Sequence, residues 1–158
     1  MLLERPLANF YVTNITDSWV PFTAVIELSA LVDRSNFGGK VLVYLPKYVP
    51  AEDSAFNLSD EEIKETFMEA LLRMYPGLSR EDLICFRVSR EKYVLAIPTL
   101  NYSEHLPPMA TSLPGLYIIN SAHIINGTLN VNETIQLAER AAKILSTSEG
   151  AEAVALGR

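Results

Sequence analysis

Short apolar runs bounded by turn formers fill the first third of the chain. Residues 10–15 are β-favouring and lead into Asp17 and Ser18, and residues 22–28 and 40–45 are two further strand candidates. Asp33-Arg34-Ser35-Asn36-Phe37-Gly38-Gly39 separates the last two, which predicts an antiparallel hairpin with a long loop. Residues 40–45 are apolar at both parities, so cover is expected on both faces of that strand. Met1-Leu2-Leu3 reads as the end of another strand, left at a free start of the chain. The period then changes. Ser59 and Glu62 make a Ser-x-x-Glu capping box, Leu58 and Ile63 suit a hydrophobic staple, and Asp60, Glu61 and Glu62 put negative charge at the positive end of a helix dipole. Ile63, Phe67, Ala70, Leu71 and Met74 repeat at helical spacing until Pro76-Gly77 ends the run.

Residues 83–88 return to strand character, Arg90-Glu91-Lys92 interrupts it, and residues 93–97 are expected to continue the sheet. Pro98, Pro107, Pro108 and Pro114 punctuate a long surface connection to a last strand at 116–119. A second helix starts at Val131, with Asn130 as its cap and Glu133 three residues on. Its Val131, Ile135, Ala138, Ala142 and Leu145 share one stripe, and the two alanines permit close approach to a sheet or a helix. These elements predict an α+β fold, a mostly antiparallel sheet of about five strands with two main helices. Residues 1–110 hold the sheet and first helix, 111–145 the last strand and second helix, and 146–158 a small, polar tail.

At 158 residues, the chain is one domain or a domain with an appendage. A net charge of -6 removes any obvious electrostatic route to nucleic acid or to an anionic membrane surface. No run approaches the ~20 apolar residues of a membrane span, and the first residues lack a signal peptide's apolar core. Cys85 is the single cysteine; it reads as a small buried hydrophobe in a reducing, cytoplasmic setting. Five Asn-X-Ser/Thr triplets, at Asn14, Asn57, Asn101, Asn126 and Asn132, read as chance in a chain rich in these residues.

Most catalytic chemistries are hard to assemble here. His105 and His123 are the only histidines, and there is no Gly-x-Ser-x-Gly elbow, no Cys-x-x-Cys and no histidine pair at helical spacing. His105 reads as a surface residue and His123 as one that packs a loop. Trp19, Tyr11, Tyr44, Tyr48 and Tyr93 can floor a flat pocket, although strand aromatics commonly serve a core. Arg87 shares a face with Leu83 and Cys85, so its charge either escapes at the strand end or meets an anion. Asn120, Ser121, Asn126, Gly127, Asn130 and Asn132 form an amide-rich cluster between a strand end and a helix start. Plain capping accounts for such a cluster. Free amides at a helix start also attract phosphates and carbonyl oxygens, and Glu133 disfavours a dianion more than a neutral acceptor such as a flavin ring carbonyl.

Pro114-Gly115-Leu116-Tyr117-Ile118-Ile119-Asn120, then Asn130-Val131-Asn132 leading into Ile135-Gln136-Leu137-Ala138-Glu139-Arg140-Ala141-Ala142, resembles the carboxyl-terminal flavin-contacting segment of the flavin-containing amine oxidase and protoporphyrinogen oxidase-like family. Upstream, Asn14-Ile15-Thr16-Asp17, Pro21-Phe22-Thr23, Val25-Ile26-Glu27, Phe37-Gly38-Gly39, Leu42-Val43-Tyr44-Leu45-Pro46, Phe86-Arg87 and Tyr102-Ser103-Glu104 resemble substrate-domain segments of its protoporphyrinogen oxidase-like and UDP-galactopyranose mutase-like branch. The matches run from about Arg5 to Leu145 as a series of short segments. Two departures stand out. Many relatives end the last strand on Gly-Asp or another acidic residue, where this chain has Asn120-Ser121. The loop that often carries an arginine reads Ile124-Ile125-Asn126-Gly127-Thr128-Leu129.

The resemblance implies the carboxyl-terminal part of an FAD-dependent oxidoreductase. The Gly-x-Gly-x-x-Gly unit that would hold the dinucleotide is absent from this sequence. It implies FAD bound by a parent protein and weakly or not at all by this chain alone, with an FAD domain and a small-molecule substrate as partners. Asn120, Ser121, Asn130, Val131 and Asn132 are then the cofactor-contacting positions, and Arg87, Tyr44 and Tyr93 the substrate-contacting ones; no residue is assigned a catalytic role. A surface bared by the missing domain would favour a homodimer. A stand-alone, non-enzymatic ligand-binding module with an aromatic platform is the alternative.

Overall fold

The chain folds as α+β, with one five-stranded antiparallel sheet and two α-helices among the described residues. The computed structural model describes residues 1–94, 96–125 and 127–147, in a first unit Met1–Lys92 and a second that begins at Tyr93. The whole sheet belongs to the first unit. Its strands are β1 (Leu2–Leu3), β2 (Val12–Asn14), β3 (Ala24–Glu27), β4 (Val41–Tyr44) and β5 (Leu83–Cys85), in the order β2-β3-β4-β1-β5.

The predicted hairpin is β3–β4, with Ile26 opposite Tyr44 and Glu27 opposite Val43. Its connection turns on Gly38 and Gly39, at φ 61° and 79°, a region where a side chain is strained. Arg34 ties the same turn by donating from Nε and Nη2 to the Gly39 carbonyl at 3.1 and 2.7 Å. Met1-Leu2-Leu3 ends in a strand, as its sequence predicts, and that strand is paired on both sides. Leu2 and Leu3 pair with Leu42 and Val41 on one side and with Cys85 and Leu83 on the other, and Leu3 is fully buried.

This insertion explains two corrections. β1 offers β5 only two partner residues, so β5 stops at Cys85 instead of Val88, and residues 93–97 form no strand among those described, Leu95 lying outside them. Cys85 is exposed rather than buried, because it sits on the sheet's edge strand. Cover on both faces of β4 is also not realised. Val41 and Val43 are fully buried while Tyr44 is half exposed, the alternation of a sheet packed on one side.

Helix α1 (Asp60–Met74) starts where its capping box predicts. The Ser59 amide donates to the Glu62 carboxylate at 2.7 Å and the Glu62 amide to Ser59 Oγ at 3.2 Å. Phe67, Met68, Ala70 and Leu71 face the sheet and join Leu3, Phe22, Val25, Val41 and Val43 in one core, with the Phe22 and Phe67 rings 5.3 Å apart. On the outer side the Arg73 guanidinium lies 3.9 Å over the Trp19 ring. Glu27, opposite Val43 and buried, accepts the Leu7 and Ala8 amides at 3.1 Å, so a core-facing carboxylate secures the segment after β1.

The second unit is built differently. The predicted strand at 116–119 is reduced to one arm of a turn around Pro114-Gly115, with Gly115 at φ 80° and a single bridge between Ala110 and Tyr117. The Ile118 amide donates to the Met109 carbonyl at 2.8 Å and the Thr111 amide to the Leu116 carbonyl at 3.1 Å, so the pairing is confined to residues 109–111 and 116–118. Helix α2 (Val131–Leu145) is capped by Asn130, whose Oδ1 accepts the Glu133 amide at 2.9 Å. Its buried line is Leu137 and Ala141, not the predicted stripe, and Val131, Ile135, Ala138 and Ala142 are exposed. Among the described residues no helix is long and apolar enough to cross a membrane.

Candidate functional site

An open cleft of about 360 Å³ lies in the first unit. The end of β4 and the residues after it, the 3-10 turn Ser54–Asn57, the first turns of α1, and the segment that leaves β5 form its walls. Each wall follows from a local feature already described. The register of β4 buries Val43 and turns Tyr44 out, half exposed, into the cleft. The capping box fixes where α1 begins and so presents Ile63 and Thr66. The early end of β5 frees residues 86–91 to run along the opening. Leu45, Phe56, Leu58, Ile63 and Phe86 supply an apolar lining with Tyr44 at its edge.

The charged side chains of the lining are mostly cationic. Arg90 is held by Asp60, with Nη1 to Oδ1 at 2.6 Å, and by the Leu58 carbonyl at 2.8 Å. Its Nε is buried without an acceptor among the described residues. Lys47, Arg87 and Glu91 are exposed, line the same cleft, and make no ion pair or hydrogen bond to other described residues. In a chain of net charge -6, this is a local reversal of sign.

Of the three residues expected to touch substrate, the structure brings Arg87 and Tyr44 together in this cleft, while Tyr93 belongs to the second unit and is exposed. Arg87 escapes at the strand end, since β5 stops two residues earlier, and it escapes into a cleft. Lys47, Arg90 and the rings of Phe56 and Phe86 were not singled out by sequence. Lys47 follows Leu45-Pro46, and a cation just beyond a strand end was the available signal. Arg90 read only as part of a charged interruption.

The five positions expected to touch a cofactor all lie in the second unit. Asn120 caps the 3-10 turn Ser121–His123 through the Ala122 amide at 2.9 Å. It also lines an apolar trough of about 320 Å³ with Ile119, Leu137, Ala138 and Leu145. Ser121 is half-buried in that turn. Asn130 is engaged as the helix cap, and Val131 and Asn132 are exposed at the helix start. Glu133 folds back over that start, within 3.1–3.3 Å of where a Cβ on Gly127 would stand. Asn126 lies outside the described residues.

The histidines behave as packing and surface residues. His123 is buried, its Nδ1 accepting the Asn120 amide at 3.2 Å and its Nε2 3.0 Å from the Pro107 carbonyl, an arrangement that suits the Nε2–H tautomer. His105 is exposed. Among the described residues no group of histidines, cysteines or carboxylates is arranged to hold a metal ion.

Fold and site together define an α+β protein with an open cationic and apolar cleft. Compared with family models, curated proteins and solved structures, the chain matches none.

Proposed function

We propose that this chain is the substrate-domain and flavin-contacting part of an FAD-dependent oxidoreductase of the amine oxidase and protoporphyrinogen oxidase-like type, acting with a dinucleotide-binding domain. The observation that carries the reading is a strand without a sheet. Residues 116–119 are apolar, yet among the described residues their one bridge joins Tyr117 to Ala110, and Leu116 and Ile118 are half exposed. A capped helix follows whose Val131 and Ile135 are also uncovered. A strand and helix of this kind form a β–α unit that needs further strands beside it, as in a dinucleotide-binding domain.

The second unit's donors suit part of such a cofactor. Val131 and Asn132 carry the first amides of α2, and these amides, the Ser121 hydroxyl and the Asn132 side chain have no partner among the described residues. These are neutral donors that match a ring carbonyl. They do not match a pyrophosphate, because Glu133 holds its carboxylate over the same helix start. FAD would supply the electron transfer, and this chain would orient the ring edge at Asn120, Ser121 and Asn132. The completeness of the first unit's cleft within residues 1–91 favours one other reading, a binding module that needs no flavin.

Titration of the 158-residue chain with FAD is expected to give no tight complex, and a stoichiometric yellow complex would overturn the reading. If the reading frame carries an upstream Gly-x-Gly-x-x-Gly, the whole product should purify with flavin. Asn120→Ala and Asn132→Ala should then shift its spectrum and potential. A frame without that motif leaves the binding module.

A further inference from the structure

We infer that the first unit's cleft binds a small amphipathic carboxylate, a molecule with an apolar ring or acyl body and one carboxylate group. Arg5, Lys40, Lys64, Arg80 and Arg90 each face a carboxylate at 2.6–2.9 Å. Arg34 donates to carbonyls, Arg73 stacks on Trp19, and Lys92 stands 5.6 Å over Phe56. Of the lysines and arginines in residues 1–92, only Lys47 and Arg87 have no partner among the described residues, and both line this cleft.

A surface that pairs every other cation and leaves two at one apolar opening has the charge pattern of an anion site. The sign and number of charges narrow the ligand. Asp60 neutralises Arg90, and Glu91 offsets one of the two free cations, so the side chains at the cleft carry roughly one net positive charge, which suits a monoanion; the Met1 ammonium at the same cleft is held by the Val43 carbonyl at 2.8 Å. A phosphate dianion would meet the Glu91 carboxylate with a charge left over.

The rest of the lining selects the body of the molecule. Phe56, Phe86, Leu45 and Ile63 offer apolar contact, with Tyr44 at the rim. The volume of about 360 Å³ lies at the small end of small-molecule sites. Entry of an apolar body displaces water from the cations and strengthens their hydrogen bonds to the carboxylate, and Arg87 can meet it with two donors. Calling this ligand the substrate rests on the flavoenzyme reading above. Binding is measured without flavin, so failure here and failure of the FAD reading are separable.

The test uses the 158-residue chain and three probes that share one ring system: 2-naphthoate, the neutral 2-naphthalenemethanol and 2-naphthyl phosphate. Calorimetry is expected to give about tenfold tighter binding for naphthoate than for the alcohol. Amide resonances of residues 44–47 and 86–91 should shift on addition. Arg87→Gln and Lys47→Gln should each weaken naphthoate severalfold, and the double variant should bind acid and alcohol alike. Arg80→Gln, whose guanidinium is held by Glu65, should leave affinity unchanged, and Phe56→Ala should weaken both ligands. Both cation variants lie on exposed positions, and an unchanged amide spectrum away from the cleft verifies their fold. Equal affinity for acid and alcohol, full affinity in the double variant, or shifts confined to residues after Tyr93 would overturn the proposal. Tighter binding of the phosphate would overturn the carboxylate assignment.

Discussion

Asp82 shows how one side chain can close a sheet edge. Its carboxylate accepts from Arg5 Nη2 at 2.7 Å and from the Ser79 amide at 2.7 Å, and its carbonyl accepts the Glu4 amide at 2.9 Å. It therefore locks the chain after β1 to the chain before β5. The Arg5 hydrogen bond first, and the Ser79 amide next, hold its carboxyl below the usual aspartate value of 3.8. A lowered folded-state value means the ionised form is the one the fold prefers. The stabilisation is complete above pH 3.8 and is lost as pH falls through the lower folded-state value. Denaturant midpoints of the native chain and Asp82→Asn should differ at neutral pH, and the gap should shrink as pH drops below 3.8; a gap independent of pH would place the effect elsewhere. Sequence alone made Arg87 conspicuous, since a charge among apolar neighbours on a strand asks for a destination. It did not flag Asp82, Glu27 or Lys47: Arg5 lies 77 residues from Asp82, Leu7 and Ala8 lie 20 and 19 residues from Glu27, and Lys47 has no partner among the described residues.

Elements governed by neighbours in sequence were legible, and elements governed by distant partners were not. Ser59, Glu62 and the periodic Ile63, Phe67 and Leu71 set the start and face of α1 from within one stretch of chain. The β3–β4 hairpin was visible for the same reason, through its Asp-to-Gly loop. Leu2–Leu3 gave no period to read, yet it joins β4 to β5, and its brevity decides that β5 ends at Cys85. In α2 the alanine-rich stripe read from the sequence is not the buried face, and burial falls instead on Leu137 and Ala141. The capping box also carries a prediction about the cleft. Ser59→Ala removes the Oγ that accepts the Glu62 amide, which should lower the melting temperature by about 2–4 °C. It should also loosen the cleft wall formed by the first turns of α1, so amide exchange at residues 60–63 should accelerate more than at Phe67–Leu71. Uniform acceleration along the helix would assign the cap a purely global role.

At the scale of the whole molecule, the two units differ in how well they bury themselves. The first has a single contiguous core running from Leu3 to Leu78. In the second, the buried described residues are few: His123, Ile124, Leu137 and Ala141. Meanwhile Leu116 is 48% exposed, Ile118 51%, Val131 72% and Ile135 51%. Apolar side chains grouped on one arm of a short turn and on the start of the next helix are unusual for a surface that faces water, and are characteristic of one that meets another domain or chain. On the flavoenzyme reading the dinucleotide-binding domain covers them. In the absence of that domain, the least costly cover is a second copy of the same surface, and the exposed edge of residues 116–119 offers amides and carbonyls for pairing across a two-fold axis. The isolated 158-residue chain should therefore sediment as more than a monomer at micromolar concentration. Ile118→Glu and Ile135→Glu should shift it to monomer without unfolding it, because both side chains are already half exposed and lie outside the first unit's core. Adding a dinucleotide-binding domain in one chain should abolish the association as the charged substitutions do. A native chain that sediments as a clean monomer, or association that neither substitution disturbs, would show that this surface needs no cover.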